Sequence, residues 1–161
     1  MNKTLLSLSV LAALSTVSTA SAAEKVGFFL VGGQYERDIN TTDSYRVGVG
    51  LPLVGLFGVF SVSGDVSYLR HTTPLTTGGF QPYYGGGLGL SGTVFTGADI
   101  SPYVGLTLYP NVLGGANYAF TDQWSAFAEA SAGPNISIGN RYGSGIVFGL
   151  GIRLGANYKF R

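Results

Sequence analysis

The chain contains no cysteine. Thiol chemistry, disulfides, cysteine-based metal sites and a lipidated N-terminal cysteine are therefore excluded. Charge is scarce as well, at 11% of 161 residues, where a soluble domain carries about 25%. Little of this surface is built to face water. The formal net charge is +1, so no basic surface points to nucleic acid. A single histidine is a poor basis for a dedicated zinc site. Beyond the N-terminus there is no long apolar run, because glycine and polar residues interrupt every candidate. A membrane helix needs about 20 consecutive apolar residues, so the mature chain is expected to have none. What the chain has instead is glycine, 26 residues of it, in a sequence of mean hydropathy +0.30.

Residues 1–22 read as a cleaved signal peptide. Lys3 supplies the positive start, Leu5 to Leu14 a short apolar core, and Ala20-Ser21-Ala22 an A-x-A cleavage site. Residues 23–161 then form one exported domain.

The last sixteen residues, Ile146 to Arg161, alternate strictly. Phe148, Leu150, Ile152, Leu154, Ala156, Tyr158 and Phe160 share one parity; Gly149, Gly151, Arg153, Gly155, Asn157 and Lys159 share the other. Such alternation marks a strand with different solvents on its two faces. An apolar outer face and a polar, glycine-rich inner face suit a transmembrane β-barrel. Turn signals divide the chain into eight such segments: Lys25–Arg37, Ser44–Leu53, Val59–Arg70, Gln81–Val94, Ser101–Tyr109, Val112–Phe120, Trp124–Ala132 and the terminal one. Pro110-Asn111 is read as a tight reversal, and 133–145 as the longest late loop. The expected fold is all-β, an eight-stranded antiparallel up-and-down transmembrane β-barrel, the smallest bacterial kind. An even count places both termini on the periplasmic side with the tight Thr121–Gln123 turn, and loops 38–43, 71–80 and 133–145 outside. On this reading Tyr45, Tyr68 and Tyr84 lie at the outer interface. Phe120, Trp124, Tyr158 and Phe160 lie at the periplasmic one, giving two aromatic girdles.

Several phrases resemble the small outer-membrane β-barrels of the OmpA-like and opacity-protein-like group. Pro102-Tyr103-Val104-Gly105 is similar to that family's P-Y-x-G strand opening, and Pro82-Tyr83-Tyr84-Gly85 nearly repeats it. The stretch from Gly115 to Ser125 resembles its strand–turn–strand G-x-x-Y-x-x-T-D-N-W-S. Ala128-Glu129-Ala130 matches an inward glutamate, with alanine where the family has an aromatic. Tyr158-Lys159-Phe160 resembles the insertion signal read by the barrel assembly machinery, here followed by Arg161. The resemblance implies the bacterial cell outer membrane as location, and outer-membrane lipid and the assembly machinery as partners. It leaves oligomeric state open.

Arg46, Asp65, Glu129 and Arg153 fall on the inward parity and are candidates for one mid-depth charge layer. Two positive and two negative groups balance. An eight-stranded barrel is just wide enough for side chains to fill, so the layer reads as a plug of paired charges; the functional alternative is a gate or ion path. His71, in H-T-T-P, reads as a solvated loop histidine with no matching nucleophile. The expected function is non-enzymatic: an integral outer-membrane protein with a structural or surface-exposed role. The alternative is a narrow pore or conduit for small solutes. No cofactor and no metal are expected.

Overall fold

The computed structural model describes residues 23–50, 59–97, 100–139 and 143–160. The expected signal peptide, residues 1–22, lies outside them. Eight strands are described: β1 (Glu24–Phe29), β2 (Gly32–Asp38), β3 (Asp43–Gly50), β4 (Val59–His71), β5 (Phe80–Gly97), β6 (Ile100–Ala119), β7 (Trp124–Gly139) and β8 (Gly143–Lys159). Each pairs antiparallel with its neighbours in sequence, and β1 pairs with β8 to close the barrel. The all-β, eight-stranded up-and-down topology expected from the alternation is the one observed.

Two segment boundaries differ, and their errors offset in the count. The segment Lys25–Arg37 is a hairpin, with β1 and β2 meeting at Phe29↔Gly32 around Leu30-Val31. Its turn is apolar, so no polar turn residue marks it. Conversely, Pro110-Asn111 is no reversal: both lie inside β6. Proline is tolerated there because the β6–β7 ladder is interrupted between Leu108↔Ile136 and Val112↔Ala132. Gly133 faces this gap, and a Cβ on it would lie 2.0 Å from the Pro110 carbonyl oxygen. Residues 133–145 are likewise mostly strand rather than loop.

The extra turn at Leu30-Val31 reverses the direction of every strand between it and Pro110. The connections 39–42, 72–79 and 120–123 therefore share an end with both termini, and the Leu30-Val31 turn lies at the other. Loops 38–43 and 71–80, expected on the far side, lie on the termini side. Of the expected 133–145 loop, residues 133–139 belong to β7 and 143–145 to β8, and 140–142 lie outside the described residues.

Close approach within the wall depends on glycine at Gly85. A Cβ there would meet the Tyr68 carbonyl oxygen at 1.9 Å, whereas one at Gly114 has only Tyr83 O within reach, at 3.9 Å. Gly85→Ala is expected to lower the unfolding free energy by about 1–3 kcal/mol, the usual cost of overpacking. Gly114→Ala should stay within about 0.5 kcal/mol of the parent. Urea titration of both variants in lipid vesicles is the check; equal stabilities would contradict this account of the wall.

Candidate functional site

Inward positions of all eight strands converge on the lumen. Arg46 of β3 sends Nη2 to both Glu129 oxygens of β7, at 2.9 and 2.7 Å. Arg153 of β8 forks onto Asp65 of β4 at 2.7 and 3.4 Å. Strands β3 and β7, like β4 and β8, stand four apart in a ring of eight. Both bridges therefore cross the lumen. The four residues named from parity are thus brought together, as two crossed pairs.

The pairs are not equivalent. Arg46 and Glu129 side chains are 1% and 5% exposed, Arg153 and Asp65 20% and 17%. Tyr83 donates its hydroxyl to Glu129 at 3.1 Å. Gly115 gives it room, because a Cβ there would lie 2.7 Å from the Tyr83 oxygen. Arg153 also lies over the Phe29 ring, 4.6 Å from its centre, a contact that favours a guanidinium. A polar cavity of about 180 Å³ borders both bridges and is lined by Ser67, Tyr109, Asn111 and Ser131 as well as the charged groups. The buried Arg46 Nε has no protein partner.

Toward the termini the lumen is filled. Leu69, Tyr83 and Leu113 form a small apolar cluster, with Phe127 buried beside the polar groups. Gln34 donates to Asn157 at 2.9 Å and Asn117 to Gln81 at 3.0 Å, each pair buried. At the mouth Lys25 Nζ donates to Glu36 at 2.8 Å and to Asp38 at 3.3 Å.

His71 belongs to this inner set and is no solvated loop residue. It ends β4, is 5% exposed and stacks obliquely on Tyr83. Its inward parity, continuing Asp65, Ser67 and Leu69, was the available signal. Ser44 Oγ lies 3.1 Å from His71 Nε2, and Glu36 3.5 Å from the same nitrogen. A hydrolytic relay needs the acid and the hydroxyl on opposite ring nitrogens; here both share Nε2 and the buried Nδ1 has no protein partner. Glu36, Asp38 and His71 also bring ligand atoms within 4.8 Å of one another. The Lys25 ammonium already supplies a cation to both carboxylates. Sequence reading passed over Lys25 and Glu36 because the hidden turn obscured which face each occupied.

The outer face inverts this chemistry. Above a rim where Arg37 meets Glu24 at 3.7 Å and Arg70 meets Asp43 at 3.8 Å, no described outward-facing residue is charged. Tyr45 pairs with Tyr68 across strands and Trp124 packs on Tyr158 at 5.1 Å. Tyr84, Phe120 and Phe160 lie at the same level. All seven residues expected at two interfaces form one belt at the termini end. The displacement of Tyr45, Tyr68 and Tyr84 follows directly from the hidden turn.

A closed barrel with a polar, filled lumen and an apolar exterior has the pattern of transmembrane β-barrels. Comparison with solved structures agrees on the fold. The chain is similar to the N-terminal β-barrel domain of Pseudomonas aeruginosa OprF at 17% identity and TM-score 0.57, covering 86% of this chain and 95% of that one. It is similar to a major outer membrane protein of Thermus thermophilus at 14% identity and TM-score 0.51, covering 87% and 100% respectively. No family model and no curated protein matches the chain.

Proposed function

We propose that this chain is an integral barrel of the bacterial outer membrane with a structural or surface-exposed, non-enzymatic role. The carrying observation is the filled lumen: buried side chains occupy it from the charge layer to the termini-side mouth. Such a barrel holds its own interior rigid and offers the bilayer a wall whose described residues above the rim carry no charge. The aromatic belt, with paired charges just outside it, supports an interface at the termini end. The termini are assigned to the periplasmic side, and outer-membrane lipid and the assembly machinery are the partners this reading implies. The arrangement of Ser44, His71 and Glu36 on one ring nitrogen supports the non-enzymatic reading.

The polar cavity bordering both bridges favours the alternative, a narrow conduit. Membrane fractionation with a heat-modifiability gel, followed by planar-bilayer recording, tests both. Recovery with the outer membrane, a mobility shift on heating and no channel steps are expected. Reproducible steps altered by Glu129→Gln or Arg153→Ala would replace the structural role by the conduit. Soluble recovery without a heat shift would overturn the membrane reading itself.

A further inference from the structure

The seam that closes the barrel is short. β1 lies against β8 as Lys25–Phe29 beside Gly155–Lys159, and the Leu30 N–H adds a last bond to the Leu154 carbonyl at 3.4 Å. On the outer side of this seam the wall is hollowed. A groove of about 320 Å³ is lined by Val26, Gly27, Phe28, Trp124 and Tyr158.

The register accounts for the hollow. Val26, Tyr158 and Trp124 stand in one row across β1, β8 and β7, and Phe28, Ala156 and Ala126 stand in the next. In the first row Trp124 packs on Tyr158 with ring centres 5.1 Å apart. In the second, Phe28 stands out at 59% exposure beside two alanines. The alanines leave low ground between the Phe28 ring and the aromatic pair. The volume falls within the roughly 300–1,000 Å³ of small-molecule pockets.

The groove also has a direction. Its aromatic row belongs to the belt, at the level of lipid headgroups. The Phe28 row lies one step further into the hydrocarbon. An occupant with a polar head at the belt and an apolar tail beyond it matches this gradient.

Charge selects the head. Lys25 and Lys159 stand directly opposite each other on the two strands of the seam, where like charges repel. Lys25 is buried and holds both Glu36 and Asp38. Lys159 is exposed, and among the described residues it is the one lysine or arginine with no ion pair. It follows Tyr158 directly in the chain, and its long apolar stem lets the ammonium settle at headgroup level. A phosphate there supplies the missing counter-ion. A zwitterionic head brings an ammonium with its phosphate, so a head of net negative charge is preferred.

We infer that this groove holds one acidic phospholipid of the termini-side leaflet, with its phosphate at Lys159 and an acyl chain between Phe28 and Trp124. This rests on the membrane reading proposed above. The test reads Trp124, the single tryptophan of the chain, whose fluorescence is quenched by bromine on a neighbouring acyl chain. The protein is folded into phosphatidylcholine vesicles carrying a low mole fraction of brominated lipid, either phosphatidylglycerol or phosphatidylcholine. The phosphatidylglycerol is expected to quench as if enriched about fivefold at Trp124, the usual worth of one lysine beside an anionic headgroup. Lys159→Gln should remove the preference and Lys159→Arg should keep it. Ala156→Phe, which fills the groove, should remove it while the heat shift is preserved. Equal quenching by the two lipids, or a preference that survives either Lys159→Gln or Ala156→Phe, would overturn the site. A heat-shifting protein whose Trp124 stays unquenched even in fully brominated phosphatidylcholine has the groove covered by protein, such as a second copy; that result overturns the lipid site alone. Soluble recovery without a heat shift would overturn the membrane reading and the lipid site with it.

Discussion

Glu129→Leu is expected to destabilise the barrel by about 3–5 kcal/mol, the cost of leaving one partner of a buried ion pair uncompensated. Arg46 would keep its guanidinium at 1% exposure with no carboxylate at 2.7–2.9 Å, and the Tyr83 hydroxyl would lose its acceptor. The double variant Arg46→Met/Glu129→Leu should recover most of the loss, since the desolvation cost of both charges disappears together. Asp65→Asn should cost less. Arg153 stays a fifth exposed to water and retains the Phe29 ring. Urea unfolding from vesicles gives the three differences. A Glu129→Leu variant as stable as the parent would show that the crossed pair does not hold the interior.

Ala130→Arg tests the outer surface with comparable leverage. Ala130 is exposed on β7, six residues along from Trp124 in the aromatic belt. In a soluble barrel an exposed alanine tolerates arginine to within about 0.5 kcal/mol. At the middle of a bilayer the same change costs about 2–4 kcal/mol, falling to about 0–1 near an interface. Reversible folding into vesicles should therefore show a loss of about 2–4 kcal/mol for Ala130→Arg. The same substitution at Phe120, inside the belt, should lose much less to charge burial. Two equally small losses would contradict a bilayer around this wall.

The architecture was legible because its signals are periodic. β8 declares itself through sixteen alternating residues, and Trp124 opens β7 where the sequence places it. Parity also assigned Arg46, Asp65, Glu129 and Arg153 to the lumen, since the face of a strand survives errors in its ends. Direction did not survive. A turn is recognised by residues that suit its backbone, and Leu30-Val31 has none. Proline signals a break only where the ladder needs its missing N–H, and at Pro110 the ladder is already interrupted. One missed turn thus moved Tyr45, Tyr68 and Tyr84 to the wrong end and left Lys25 and Glu36 unassigned. It also made His71 look solvated, by placing the end of β4 at an outer loop. Partner choice was a further limit. Glu129 stands directly opposite Arg153 on the neighbouring strand, yet each bonds a residue across the lumen, which alternation alone cannot foresee.

The short seam between β1 and β8 also constrains how the molecule is made. It joins the first described strand to the last, so the ring cannot close until nearly the whole chain is present. The long hairpins β5–β6 and β7–β8 involve near neighbours in sequence and can form earlier at smaller entropic cost. Closure is then the late step of folding, secured by one brief ladder. The same ladder should be where the finished barrel first opens, with amide exchange in β1 outrunning that in β7.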